Sequence, residues 1–220
     1  MPIPPGPYRA FDERCAQQPD AQPAPVSSDW RAALPILTGN GITLRDLRAS
    51  DATSLCALLA TPDVARFISS PPESVAGFAG FIDWTHRQRA AGLYVCFAVV
   101  PAGHDDAVGL FQIRETETGF ATAEWGFAVG SQYWGSGMFE EGAGLVVDFI
   151  FSQIGAHRLE ARAAVDNGRG NGALAKIGAA REAVLRHSFL KDGKYVDQNL
   201  WTILHEDRRR ARSGNGHKIH

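Results

Sequence analysis

The sequence predicts a mixed α/β (α+β) domain, in which a mostly antiparallel sheet of six to seven strands is flanked by about four helices. Two observations favour this class: strand-like apolar runs occur in consecutive groups, and stretches with helical periodicity lie between the groups. The 220 residues are enough for one domain whose core needs neither a metal nor a disulfide.

The first half of the domain begins with a strand and continues with helices. A strand is predicted at 42–47, and Ser50 or Asp51 then caps a helix of about two to three turns. Because proline suits the first position of a helix, Pro62 indicates a second, short helix. A longer helix is predicted at 74–89, where apolar side chains recur on one helical face.

The second half predicts an antiparallel meander, a βαβα unit and a closing hairpin. Asp192-Gly193 marks the hairpin, since this pair is typical of a type I′ turn. The predicted strands lie at 93–100, 107–114, 121–129, 157–165, 183–190 and 195–204. The predicted helices lie at 137–151 and 168–177.

The two ends of the chain differ in composition from the domain, which is predicted at 36–206. Residues 1–35 hold eight of the twelve prolines and predict an extended arm. Trp30 is available to pin this arm to the body or to a second subunit, so the arm is compatible with a homodimer. Residues 207–220 predict a basic, solvated tail.

Bulk composition excludes several classes of function. The 22 Lys and Arg nearly balance the 24 Asp and Glu, so no strongly basic field exists to attract nucleic acid. No apolar run approaches the ~20 residues of a membrane span, and the N-terminus lacks the features of a signal peptide. Cys15, Cys56 and Cys96 form neither a disulfide framework nor a zinc pattern. These features predict a cytoplasmic protein with no metal site and no membrane or nucleic-acid partner.

A glycine-rich segment, Gln132-Tyr-Trp-Gly-Ser-Gly137, joins a predicted strand to a predicted helix. Glycine permits positive φ and lets an anion approach the backbone, and the N–H groups at a helix start favour an anion. The dinucleotide fingerprint fails because its third glycine is Glu140, and the P-loop fails because Ser136 stands at the lysine position. The segment therefore predicts either another kind of phosphate cradle or a turn that only packs the helix against the sheet.

The pattern Gln-x-x-Gly-x-Gly resembles the acetyl-CoA signature of the GCN5-related N-acetyltransferases (GNAT), which is Q/R-x-x-G-x-G/A between a strand and a helix. The resemblance extends over roughly 37–204, where Asn167, Lys176 and Gly178 follow a second family pattern in register. The segments 43–47 and 62–67 are similar to the RimJ/RimL branch, whose known members acetylate N-termini of ribosomal proteins. A GNAT-like fold is thereby implied.

The resemblance implies acetyl-CoA as the cofactor and an amine as the acceptor. The acceptor is a protein N-terminal α-amine or a small-molecule amine, which would attack the thioester directly in a ternary complex. Backbone groups at 127–129 would hold the pantetheine, and the glycine-rich turn would hold the pyrophosphate. The implied cofactor-binding residues are Phe127, Ala128, Val129, Gln132, Trp134, Gly135, Ser136, Gly137, Met138, Asn167, Gly170 and Lys176.

Glu124 is the candidate general base. Its face of the predicted strand continues with Gly126 and Ala128, and two small residues after a carboxylate leave room for a ligand. The family also places a glutamate here, acting directly or through water. The alternative is a cross-strand ion pair with an arginine such as Arg114 or Arg162.

The general acid departs from the family pattern. The family's serine hydroxyl falls on Gly170 and the tyrosine of other members falls on Leu174, and neither side chain donates a proton. Either Asn171 or Tyr195 supplies it, or water serves, or the thiolate leaves without help. The departure also admits a different function, a non-catalytic acyl-CoA-binding sensor or module.

Trp134, His187 and Asp197 are candidates for contact with the acceptor. Each has a structural alternative: Trp134 covers the core, Asp197 braces the hairpin turn, and a lone histidine has many roles besides catalysis.

Overall fold

Eight strands form one sheet in the order β1-β2-β3-β4-β5-β6-β8-β7, in a computed structural model that describes residues 29–208. Neighbouring strands are antiparallel except β5 and β6, which run parallel. The strands are β1 (Leu37–Thr38), β2 (Ile42–Asp46), β3 (Tyr94–Pro101), β4 (Gly109–Glu115), β5 (Thr122–Val129), β6 (Arg158–Ala164), β7 (Ala180–Lys191) and β8 (Lys194–Leu204). The helices are α1 (Asp51–Leu59), α2 (Pro62–Ala65), α3 (Val75–Ala90), α4 (Met138–Phe149) and α5 (Gly168–Lys176).

The predicted mixed α/β fold is confirmed, with eight strands in place of six to seven. The additional strand is β1, which pairs with β2 through Leu37 opposite Leu44 and Thr38 opposite Thr43. Two residues are too few to show an alternating pattern, so the sequence carries no signal for this strand. The predicted hairpin turn is confirmed, since Asp192 and Gly193 have φ of 48° and 76°.

The residues at the helix starts either accept a hydrogen bond from a free backbone N–H group or suit the backbone conformation required there. The N–H of Gly77 donates to Ser74 Oγ at 3.1 Å before α3, and α2 begins at the expected proline. Gly137, with φ of 86°, precedes α4. A left-handed residue at this position fixes the direction in which α4 leaves β5.

Helices cover both faces of the sheet and create two cores. On one face, Leu55 of α1 and Phe78 of α3 pack with Leu110 of β4. On the other face, Phe139 of α4 lies against Phe127, with ring centroids 4.2 Å apart. Side chains of β5 alternate between the two cores as predicted, and the Glu124 face is directed to the α1–α3 side.

A buried ion pair ties β2 to the start of α1. Arg45 donates through both terminal nitrogens to the two carboxylate oxygens of Asp51, each at 2.8 Å. Asp51 also accepts the N–H of Arg48 at 2.7 Å, and Arg45 donates to the carbonyl of Asp105 at 2.6 Å. The hydrogen bond to Asp51 raises the pKa of Arg45. Because each charge is paired, burial is tolerated at this junction.

A second ion cluster joins β6, β7 and β8. Arg158 donates to Glu160 at 2.7 Å and to both carboxylate oxygens of Glu182 at 3.0 and 2.6 Å. Thr202 Oγ1 also donates to Glu182, at 2.7 Å. The hydrogen bonds from Arg158 and then from Thr202 lower the pKa of Glu182 to about 2. The cluster uses all three nitrogens of the Arg158 guanidinium.

The described end of the predicted N-terminal arm packs against the domain. Trp30 is buried and meets Phe120 edge to face, with ring centroids 5.7 Å apart. The remainder of the arm, with Cys15, and the tail beyond Arg208 lie outside the described residues. Cys56 and Cys96 are free thiols, and burial raises the pKa of Cys96.

Candidate active site

A cleft opens where β5 and β6 separate. The two strands are in register only at Thr122–Arg158, Ala123–Leu159 and Glu124–Glu160. Beyond Glu124, β5 continues to Val129 while β6 pairs with β8 alone. Within residues 29–208, backbone groups on this side of β5 therefore have no strand partner past Glu124, and an unpaired strand edge can bind an extended ligand.

The cleft widens into a cavity of about 870 Å³, and its lining comes from both sides of the separation. Glu124, Gly126, Phe127 and Ala128 line it from β5. The opposite wall includes Ala161, Arg162, Ala163, Asn167, Gly170 and Leu174 from β6 and α5. The predicted base and several predicted cofactor residues thus share one cavity.

The glycine-rich turn follows β5 directly and presents free N–H groups. Gly135 and Gly137 have φ of 78° and 86°, and a Cβ at either would meet no described atom within 4 Å. Among residues 29–208, no atom accepts a hydrogen bond from the N–H groups of Gly135, Gly137 or Phe139. The N–H of Met138 donates only a long hydrogen bond of 3.4 Å to Ser136 Oγ. This arrangement is an open anion cradle at a helix N-terminus.

Acidic residues in the first turn of α4 are paired away from the cradle. Glu140 accepts from Lys176 Nζ at 3.0 Å, and Glu141 accepts the N–H groups of Asn40 and Gly41 in the β1–β2 turn. Lys176, a predicted cofactor residue, thus braces α5 against α4. Gln132 is exposed at the surface of the same turn.

Asn167 caps α5 beside the cavity. Its Oδ1 accepts the N–H of Gly170 at 2.9 Å, and Gly170 is buried beneath it. A Cβ at Gly170 would lie 2.5 Å from Asn167 Nδ2. The place where the family carries a serine is filled here by the Asn167 amide.

Glu124 is held by two arginines. Its Oε2 accepts from Arg114 Nη2 at 2.9 Å and lies 3.3 Å from Arg162 Nε. Its side chain is 19% exposed, against 55% for Arg114 and 37% for Arg162. The ion pair that the sequence offered as the alternative to catalysis is present, and it leaves Oε1 without a partner among residues 29–208.

Asn171 is occupied by structural hydrogen bonds. Its Nδ2 donates to the carbonyls of Ala164 and Asn167 at 2.9 and 2.8 Å. Its Oδ1 accepts from Asn199 and Trp201, each at 2.8 Å. The side chain fastens α5 to the sheet and does not line the cavity.

Tyr195, His187 and Asp197 lie together, apart from Glu124. They line a second cavity of about 500 Å³ on the closing hairpin. His187 has φ of 50° at a bulge in β7, where its N–H donates to Asp197 Oδ1 at 2.8 Å. Asp197 therefore braces the bulge, and none of the three lines the main cavity.

Two features near the cofactor path have no signal in the sequence pattern. Trp134 Nε1 donates to the carbonyl of Val129 at 2.9 Å, and the guanidinium of Arg169 lies 3.9 Å from the Trp134 ring centroid. This contact links the turn to α5 and places a cation beside the anion cradle. Tyr94 also lines the main cavity, where its hydroxyl donates to Gln112 and burial raises its pKa.

Comparison with known proteins decides the family. The family model described as an acetyltransferase (GNAT) domain matches residues 42–180. The chain belongs to the GNAT acetyltransferase family. This GNAT acetyltransferase is 26% identical over 176 residues to the uncharacterized N-acetyltransferase YoaA of Bacillus subtilis (strain 168), covering 77% of this chain and 97% of that protein.

Solved structures share the fold of this GNAT acetyltransferase. Ribosomal-protein-S5-alanine acetyltransferase from Vibrio fischeri has a TM-score of 0.70 and 18% identity, covering 79% of this chain and 98% of that one. Mycobacterium smegmatis RimJ in complex with CoA-disulfide has a TM-score of 0.72 and 20% identity, covering 84% and 96%.

GNAT acetyltransferases use acetyl-CoA, and the residues of this chain fit that cofactor. The cradle of free N–H groups suits a pyrophosphate, and the unpaired edge of β5 suits an extended amide arm. No helix of residues 29–208 is long and apolar enough to cross a membrane. Within the same residues, no group of three or more His, Cys, Asp or Glu is arranged to hold a metal.

Proposed function

We propose that this acetyltransferase transfers the acetyl group of acetyl-CoA to a primary amine by direct attack in a ternary complex. The observation that carries the proposal is the separation of β5 from β6, which places Glu124 and the unpaired edge of β5 in one cavity. The anion cradle follows that edge directly in the chain. Bound acetyl-CoA supplies an acyl group activated as a thioester.

Glu124 is the proposed general base. Arg114 and Arg162 both contact Oε2, so they orient the carboxylate and leave Oε1 to take the proton of the attacking amine. The N–H groups of Phe127 and Val129, which face away from β4, are proposed to stabilise negative charge on the carbonyl oxygen.

Departure of the thiolate is proposed to need no side-chain acid. A simple thiol has a pKa of about 8.5, so a thiolate is a stable leaving group near neutrality. Gly170 and Leu174 supply no hydroxyl, and Asn171 is fully engaged. The departing thiolate is therefore proposed to take its proton from water.

Candidate acceptors are a protein N-terminal α-amine and a small-molecule amine. Similarity in fold to a ribosomal-protein acetyltransferase and to a RimJ protein supports the first class and a RimJ/RimL-like assignment. The cavity is open beside Glu124, and its size admits a peptide N-terminus or a free amine.

A non-catalytic acyl-CoA-binding module is the second candidate. Two observations favour it: Glu124 is engaged by two arginines, and the family's hydroxyl position is filled by the Asn167 amide. In that case the cleft binds acetyl-CoA, and the ion pairs of Glu124 with Arg114 and Arg162 have only a structural role.

The two functions are separated by a screen of amines and N-terminal peptides with acetyl-CoA. Thiol release is measured against a no-amine blank, and mass spectrometry identifies the product. Catalysis predicts thiol release that depends on the amine, with one acetyl group added to it. Tight acetyl-CoA binding without release above the blank for any amine would favour the binding module.

A further inference from the structure

The main cavity is positively charged on balance beside Glu124. Its lining contains two arginines, Arg114 and Arg162, and one carboxylate, Glu124. Among the described residues that line it, no further Asp, Glu, Lys or Arg occurs. The cluster therefore carries one net positive charge when all three groups are ionised.

The guanidinium groups of Arg114 and Arg162 are only partly used. Arg114 makes one hydrogen bond through Nη2, and Arg162 approaches Glu124 most closely through Nε. Within residues 29–208, their other nitrogens have no hydrogen-bond partner. Arg158 on β6 is the contrast, because Glu160 and Glu182 occupy all of its nitrogens.

The free donors flank the carboxylate on both sides. Arg114 of β4 lies directly opposite Glu124 in the antiparallel register. Arg162 lies on β6, two residues past Glu160, the parallel partner of Glu124. Glu124 thus has an arginine on each neighbouring strand.

We propose that Arg114 and Arg162 form an anion-binding pair that selects an amine acceptor carrying a carboxylate or phosphate group. The inference rests on the proposed transferase function and names the substrate class for that site. The planar forks of arginine match both anions with two parallel hydrogen bonds. Glu124 holds the amine, and the free donors of the arginines hold the anion.

Another part of the cavity wall defines the rest of the acceptor. This part is apolar and aromatic and includes Phe67, Pro71, Phe81 and Phe189. Such a wall accommodates an aliphatic or aromatic body between the amine and the protein surface. The acceptor class is therefore an amine with an anionic group and an apolar portion.

The test compares acceptors in pairs that differ in the anion, with kcat/KM expressed per unprotonated amine because the anion also raises the pKa of the amine. Three pairs are used: L-phenylalanine and its amide, dipeptide amides with glutamate or glutamine in second position, and phosphoethanolamine with ethanolamine. The wild type should prefer the anionic member of at least one pair about tenfold in kcat/KM, and salt should reduce this preference. The pair that shows it distinguishes a carboxylate from a phosphate.

Arg114→Gln and Arg162→Gln should each reduce the preference, and the double variant should bring it close to one. The readout is the ratio within a pair, because both arginines also orient Glu124 and will change absolute rates. Arg186→Gln on β7, an exposed site outside both cavities, removes the same charge and should leave the ratio unchanged.

A binding measurement separates this inference from the proposed function. Calorimetric titration of the anionic amines into the CoA-loaded protein should show binding that the double variant loses. Binding of that kind without turnover would sink the transferase proposal and keep the anion site. Turnover of neutral and anionic amines at equal kcat/KM, with ratios unmoved in the variants, would reject the anion site and keep the transferase.

Discussion

Gly137→Asp tests the anion cradle by adding a negative charge at a position with room for it. Gly137 has φ of 86°, so any L-residue costs about 1–2 kcal/mol of backbone strain there. Asp and Asn tolerate this conformation best among L-residues and have nearly the same shape. Gly137→Asn is therefore the matched control, and the two variants differ only by the charge.

The expected magnitude follows from the open space at this position. A Cβ would meet no described atom within 4 Å, so the carboxylate can approach the bound pyrophosphate without displacing protein atoms. Two unit charges 4 Å apart at an effective dielectric of 20 repel by about 4 kcal/mol, or roughly 10³-fold in affinity. Solvent exposure and salt reduce this value to about 10².

Isothermal titration with acetyl-CoA measures the effect. The dissociation constant of the Asp variant should exceed that of the Asn variant by about 10²–10³ at low salt, and the ratio should fall as salt is added. Equal melting temperatures of the two variants establish that both are folded. Equal affinities would show that the pyrophosphate does not bind at this turn.

Two further predictions concern stability. Asp51→Ala leaves the buried Arg45 charge unpaired and should lower the free energy of unfolding, measured by urea titration, by about 3–5 kcal/mol. The control, Asp83→Ala on the exposed side of α3, should change the free energy of unfolding little. Equal effects of the two substitutions would show that the Arg45–Asp51 pair is not energetically important. Glu182 has a pKa of about 2 in the folded protein against an ordinary 4.5, so its stabilisation is complete above about pH 4.5 and is lost as the pH falls towards 2. Its side chain is 39% exposed, so Glu182→Gln should cost at most about 1 kcal/mol at pH 7, with a difference from wild type that shrinks between pH 4.5 and 2; a constant difference would refute the assignment to Arg158.

Local patterns predicted most of the fold because each element carries its own signal. Alternation placed Glu124 and Trp125 on opposite faces of β5, and Asp192-Gly193 predicted the hairpin turn from backbone preference alone. β1 was missed because its pairing with β2 depends on a neighbouring strand and not on its own two residues. The separation of β5 from β6 could not be predicted from the sequence pattern either. It depends on how two strands that are distant in the sequence pair with each other.

Site residues were predictable where backbone conformation limits the choice of residue. The glycines of the turn have the positive φ that such a cradle needs. Side chains that meet from different strands were harder: Arg114 and Arg162 were considered as alternative partners of Glu124, and the structure brings both to it. Asn171 shows the opposite case, because an amide that looks free in a sequence is consumed by contacts from β6 and β8.

Glu124→Gln tests the central claim most directly, because it keeps the size of the side chain and removes its basicity. Acetyl-CoA affinity and amine-dependent thiol release are measured on the same preparation. The account predicts an unchanged dissociation constant for acetyl-CoA and turnover reduced by about 10²–10⁴. Turnover equal to that of the wild type would contradict this account. Glu124 would then have only a structural role, as the ion-pair partner of the two arginines.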